Sequence, residues 1–197
     1  MDTVNEIKSQ YARILKKSDW VNFKEMAEYY LKTAARLKKK DVISKKNKLL
    51  FRNSQKRLFI GVGCELLLKS FYLKKGYCIN KLKQKSGVKN IPTHELATLN
   101  LKDINPNDTF TIGTLIDNLN KISKFSDYEK VKRGFQIAMT FRNKEGHITF
   151  PIHEFNESNY KDISEAIVHF YRDCFQEHLK FNISMKPNEK HVFKVTT

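Results

Sequence analysis

Little in this chain breaks or staples a backbone. Seven Gly and four Pro among 197 residues exclude collagen-like repeats and Pro/Gly-rich linkers. Three unpatterned cysteines, Cys64, Cys78 and Cys174, form neither a disulfide framework nor a CxxC metal clip. The longest apolar run, Leu58 to Leu68, is interrupted by Glu65 and is too short to cross a bilayer. No carboxylate or His/Cys cluster stands at metal-ligand spacing, so no metal is expected; the absence of a Walker motif says that the chain is not its own NTP switch, and no cofactor is expected. There is no internal repeat and no low-complexity tract. The opening residues MDTVNEIKSQ are polar and carry acids, unlike a signal peptide. A cytosolic single domain with no membrane partner is the expectation, and its 40% hydrophobic content is enough to bury a core.

Positive charge is what the chain has in excess. The formal net charge is +16, from 37 basic and 21 acidic residues. The segment from Lys32 to Lys89 holds 18 Lys/Arg against two acids, Asp41 and Glu65, so the remainder is neutral. A basic segment of this density points to a polyanion, nucleic acid being the commonest; a solvated Lys-rich surface is the plain alternative. Lys outnumbers Arg 30 to 7, which suits phosphate contacts better than bidentate base reading. The candidate RNA contacts are Lys45, Lys46, Lys48, Arg52, Lys56, Lys74, Lys75, Lys81, Lys83 and Lys85.

The hydrophobic spacing is helical almost throughout. Ser18 or Asp19 is placed to cap a helix from Trp20 to about Lys39. A longer helix is expected from about Ser44 to Lys75, with Gly76 as its stop. Its half from Leu58 to Leu73 is apolar on nearly every side, as a central, surrounded helix reads. The Gly61-Val62-Gly63 triplet inside it reads as close helix packing, because a phosphate loop needs a strand–loop–helix context. Residues 76–92 read as a basic loop, Thr93 as the cap of a short helix HELATL, and Asn105 to Asp108 as a turn before the short helix TIGTLIDNLNKI. Ser126 or Asp127 opens another long helix, with a stripe at Tyr128, Val131, Phe135 and Ala138 and an end near Gly146. Ser158 or Asn159 starts the last helix, whose buried face is Ile163, Ile167, Phe170 and Cys174, widened by Ala166, Tyr171 and Phe175. The tail HVFKVTT reads as extended. The expected architecture is an all-α bundle of four main helices plus short ones.

Continuing the stripe 128, 131, 135, 138 lands on Arg142, a charge at a core-facing position that is costly unless paired or open to an anionic ligand. Asn143 follows, and His147 comes after Gly146. On a straight helix Arg142 and His147 stand about 140° apart, and a left-handed turn at Gly146 would bring them together. Arg-Asn-x-x-x-His supplies the parts of metal-free RNA cleavage. The histidine moves protons, the arginine holds the phosphate and its transition state, and the amide orients either one.

RNKEGH at 142–147 resembles the RX4–6H motif of the HEPN family (higher eukaryotes and prokaryotes nucleotide-binding), in which a polar residue, often Asn, follows the Arg. CELLLKSFYLKKGY resembles the second core helix of such proteins. The likeness spans roughly residues 44–180, leaving a helical extension at 1–43 and a tail at 181–197. It implies a HEPN-like bundle and a homodimer whose two motifs meet across a two-fold axis in one composite site. It further implies metal-free attack of the ribose 2′-OH on the adjacent phosphate, leaving 2′,3′-cyclic phosphate and 5′-OH ends. His147 is then general acid/base, Arg142 the phosphate clamp and Asn143 the positioner. Glu65 and Lys69, at i, i+4, either face this motif or form a simple intrahelical pair, and His153 is a further possible site-lining residue. A second match, Arg172 to His178, reads as a decoy inside the last helix, with its two side chains roughly 120° apart.

Three functions follow as expectations. The leading one is an RNA endonuclease of the toxin or abortive-infection kind, held in check or activated by a separately encoded protein. The others are a non-catalytic HEPN-like module that binds nucleotides or a protein, and a helical nucleic-acid scaffold outside the family.

Overall fold

The computed structural model describes residues 2–37, 48–84, 89–145 and 157–177. The fold is all-α, with one small two-stranded sheet at its edge. In chain order the elements are α1 (Thr3–Tyr11), α2 (Trp20–Arg36), α3 (Lys48–Lys74), β1 (Asn80–Leu82), β2 (Ile104–Thr109), α4 (Ile112–Ile122), α5 (Tyr128–Glu145) and α6 (Glu157–Phe175). The four long helices are α2, α3, α5 and α6, and they are the four that the hydrophobic spacing picks out. No helix among the described residues is long and apolar enough to cross a membrane.

Helix α3 is the axis of the bundle. Its residues Ile60, Cys64, Leu67, Leu68, Phe71 and Tyr72 are fully buried because α2, α4, α5 and α6 all pack on it. Ala27, Leu31 and Ala34 put α2 into that same core, so α2 is part of the bundle and not a peripheral extension. At the other end of the core Phe170 of α6 meets Phe71, Phe125 and Phe135 at centroid distances of 5.4, 6.0 and 5.0 Å, the offset and edge-on spacings aromatic rings prefer. The α6 face is the expected one, with Ile163, Ala166, Ile167, Phe170, Tyr171, Cys174 and Phe175 buried.

Several helix ends follow from local chemistry. Gly76 has φ +83° and closes α3 as expected: its N–H donates to the Leu73 carbonyl at 2.9 Å and the Tyr77 N–H to the Tyr72 carbonyl at 2.9 Å. With the Tyr72 and Tyr77 rings in contact at 6.3 Å, this is the full left-handed C-terminal motif. Asp127 caps α5 through the Lys130 N–H at 3.1 Å, and Thr111 caps α4 through the Thr114 N–H at 3.3 Å. Asp19 does not cap α2. Its carboxylate is taken by Arg13 and by the Lys16 N–H, one turn earlier.

Two expectations between residues 76 and 111 are corrected. Asn105 to Asp108 lies within β2, not in a turn; β2 pairs antiparallel with β1, Asn80 opposite Thr109 and Leu82 opposite Ile104. HELATL yields only a single 3-10 turn at Leu96–Thr98, because its backbone pairs elsewhere. The Leu96 N–H donates to the Gly76 carbonyl and the His94 carbonyl accepts from the Cys78 N–H, both at 2.8 Å. The organiser is Asn80, buried on β1. Its amide donates to the Arg13 and Asn105 carbonyls and its carbonyl accepts from the Leu15 N–H, at 3.0–3.2 Å. Pro106, which cannot donate to a ladder, fits a two-stranded ribbon, and its carbonyl accepts from the Arg13 N–H.

The α5–α6 crossing depends on Gly134. A Cβ there would stand 2.3 Å from the Ala166 Cβ and 2.6 Å from the Asp162 carbonyl oxygen. Gly134→Ala is therefore expected to destabilise the bundle by about 1–3 kcal/mol. In urea melts this reads as a lower midpoint with an unchanged slope.

Candidate functional site

The site is built where α5 leaves the bundle. The buried positions of α5 are Val131, Gly134, Phe135, Ala138 and Phe141. The stripe thus steps from 138 to 141, and Phe141 rather than Arg142 is its last core residue, packed on Tyr160 with centroids 5.3 Å apart. Arg142 flanks the core with its side chain 47% exposed. The expectation of a core-facing arginine is corrected on this point: a helical stripe alternates steps of three and four, and the last step is three.

Gly61 lets α3 meet α5 at this arginine. A Cβ on Gly61 would lie 2.4 Å from the Arg142 Cβ and 2.8 Å from the Ala138 carbonyl oxygen. Gly63 does the same for α2, with Leu31 Cγ at 2.8 Å, so the glycine triplet serves close packing as its context indicated. One turn beyond Gly61, Glu65 reaches the guanidinium, Oε2 to Arg142 Nε at 3.2 Å. Its Oε1 pairs with Lys69 Nζ at 2.8 Å, and Lys69 Nζ donates to Thr109 Oγ1 at 3.0 Å. A charged chain therefore runs from α5 across α3 to β2. Glu65 and Lys69 form the intrahelical pair, and of the two Glu65 also contacts Arg142 while Lys69 reaches Thr109. Arg142 Nη1 also lies 3.4 Å from the Asn143 Oδ1.

One turn further along α5, Glu145 closes onto the earlier part of α3. It pairs with Arg57 and accepts from the Ser54 hydroxyl, and the Arg57 and Glu145 side chains are only 4% and 5% exposed. Arg57, Gly61, Glu65 and Lys69 are spaced four apart, one stripe down α3. The clamp at Arg57, Ser54 and Glu145 was missed in the sequence, although that four-residue spacing is a legible sign of it.

His147 and His153 lie outside the described residues, as do Lys45, Lys46 and Lys85; of Lys48, only its place at the start of α3 is described. The other basic candidates are not gathered into one groove. Arg52 and Lys56 are buried near the start of α3, while Lys74 and Lys75 stand at its end, about 33 Å from Arg52 along the axis. Lys74 donates to the Cys174 carbonyl at 3.2 Å and covers the Trp20 and Phe175 rings at 5.2 and 5.0 Å. Lys75 lies over Phe71 at 5.7 Å. Lys81 pairs with Asp108 at 2.8 Å, and Lys83 donates to the Lys102 carbonyl at 2.6 Å.

The second Arg–His match also changes. α6 ends at Phe175 and Gln176 has φ +58°, so the helix does not run on through the match as expected, and His178 lies outside the described residues. Arg172 is engaged by Asp173, Ser126 and His169. Burial pushes the thiols of Cys64, Cys78 and Cys174 upward, so none is poised as a thiolate nucleophile. Among the described residues no three His, Cys, Asp or Glu come together as a metal site.

Removing one partner of the buried Arg57–Glu145 pair strands the other charge. Glu145→Ala is expected to cost about 3–5 kcal/mol in chemical denaturation, and the double change Arg57→Met/Glu145→Leu to recover most of it.

Compared with family models, with curated proteins and with solved structures, the chain matches none.

Proposed function

We propose that the protein is a metal-independent RNA endonuclease of the HEPN type, acting in the cytoplasm as a homodimer, as a toxin or antiphage effector under the control of a second protein. The observation that carries the reading is the exposed Arg142 guanidinium, held over Gly61 by Glu65 in the last turn of α5, five residues ahead of His147 in the RNKEGH motif.

Each part has a chemical duty. Arg142 meets the scissile phosphate, and its fork of donors suits the two non-bridging oxygens of a pentavalent phosphorane. The Glu65 contact holds Nε and orients the Nη groups. Lys69 keeps Glu65 from cancelling the arginine, because one carboxylate is shared between two cations. His147 takes the 2′-OH proton as the 2′ oxygen attacks, and a protonated histidine returns one to the departing 5′ oxygen. In a symmetric dimer the two histidines divide these duties. Asn143, exposed beside Arg142, positions the RNA or the histidine.

The test is incubation of purified protein with total RNA in excess EDTA. Wild type is expected to cut, leaving 2′,3′-cyclic phosphate and 5′-OH ends. His147→Ala should lose about 10²–10⁴ in rate and Arg142→Ala about 10²–10³. Sedimentation should give a dimer at micromolar concentration. EDTA-sensitive cleavage, or toxicity on expression that survives both substitutions, would overturn the assignment. A folded, RNA-binding protein that never cuts would favour the non-catalytic binding module.

A further inference from the structure

Beside Arg142 the described residues enclose a cleft of about 410 Å³. Its walls come from three places: Glu65 on α3, the strand end and helix start from Asp108 to Gly113, and Met139, Arg142 and Asn143 on α5. The small sheet inserted between α3 and α4 therefore forms one side of it. Clefts of 300–1,000 Å³ with a mixed lining are typical small-ligand sites. The volume suits one nucleotide unit, and is far too small for a duplex.

The lining specifies what enters. Met139 offers a thioether, a surface on which planar rings pack, with Phe110, buried in the core, backing the cleft. Glu65 and Asp108 are carboxylates and repel a phosphate, so an anionic group stays at Arg142 and a neutral ring goes inward. Both Glu65 oxygens are already in ion pairs. Asp108 pairs with Lys81 through Oδ2 alone, and its Oδ1 has no donor among the described residues. A carboxylate oxygen accepts from N–H and amino groups and is repelled by carbonyls.

We propose that this cleft is a base subsite that takes one unstacked base of single-stranded RNA, preferring the amino-bearing bases guanine, adenine and cytosine over uracil, with Asp108 reading the amino group and Arg142 holding the adjoining phosphate. Uracil presents two carbonyls flanking a single N–H, the wrong pattern for Asp108. Guanine presents N1–H and an amino group side by side, the best match to a carboxylate. The subsite deepens the nuclease reading, which supplies the RNA.

The test separates the two. Titration calorimetry of the full chain with guanosine 3′-monophosphate and uridine 3′-monophosphate is expected to favour guanosine by about tenfold, the equivalent of about 1.4 kcal/mol. Asp108→Asn, at a half-exposed position, should flatten that ratio, whereas Lys81→Gln should keep it. Gly113→Leu, which directs a side chain toward Met139 Sδ, 3.1 Å from the Cβ position, should abolish binding of both. Equal affinities, a preference untouched by Asp108→Asn, or no nucleotide binding at all would each overturn the subsite. Base selectivity without RNA cleavage would keep the subsite and sink the nuclease. EDTA-resistant cleavage with no base preference, unaffected in Gly113→Leu, would do the reverse.

Discussion

The backbone approach of α3 to α5 at Gly61 is the constraint on which the site depends. A hydrogen in place of a side chain lets the two helices touch where Arg142 begins. Everything polar around it is then within reach of one four-residue stripe on α3. Arg57 meets Glu145, Glu65 meets Arg142, and Lys69 bonds Thr109. The rest of α3 around this stripe is buried among apolar neighbours, so these charges have few alternatives to one another. Low dielectric strengthens each pair and makes an unpaired member costly. The end of α5 is thereby pinned at two successive turns, immediately before the segment that carries His147.

The small sheet is held by a different device. Asn80 is buried and makes three hydrogen bonds to backbone groups of the 12–16 segment and β2. A buried amide satisfied this fully specifies one arrangement of three strands of chain, since any slip leaves polar groups without partners. That arrangement fixes Thr109 for Lys69 and sets Asp108 and Phe110 beside Arg142. The insertion between α3 and α4 is thus joined to the charged stripe of the central helix, so packing at the edge of the fold and geometry at the arginine are not independent.

Legibility from sequence divides along the range of the interactions. Gly76 as a stop, a cap at Ser126 or Asp127 and the buried face of α6 follow from local chemistry or a single period, and the structure has a stop at Gly76, a cap at Asp127 and that face. The strand at 104–109 was hidden because Asn-Pro-Asn-Asp is turn chemistry, overridden by pairing with residues some 25 positions earlier. Asp19, one of the two caps the sequence offers at the start of α2, stands at that helix end, but its carboxylate goes to Arg13 and the Lys16 N–H instead. Arg142 was placed one helical step too deep, yet the reason for singling it out survives: it is a cation next to the core, paired and facing a cleft. The cleft itself joins residues from α3, β2, α4 and α5, and no spacing rule brings those together.

Charge density along the sequence is a weaker guide than charge position. Within the dense basic segment, Arg57, Lys69, Lys74 and Lys81 each have a partner inside the fold. At the end of α5, Arg57 pairs with Glu145, and Lys69 and Arg142 both pair with Glu65. Lys69 and Arg142 thus draw on one carboxylate, and of the two it is Arg142 whose side chain is half-exposed. The carbonyl end of α5 favours a cation there, so holding that charge in place costs the fold little. On the proposed reading, a phosphate at Arg142 would meet a guanidinium already oriented by a carboxylate that a second cation also engages, the condition under which an arginine stabilises charge developing on phosphorus.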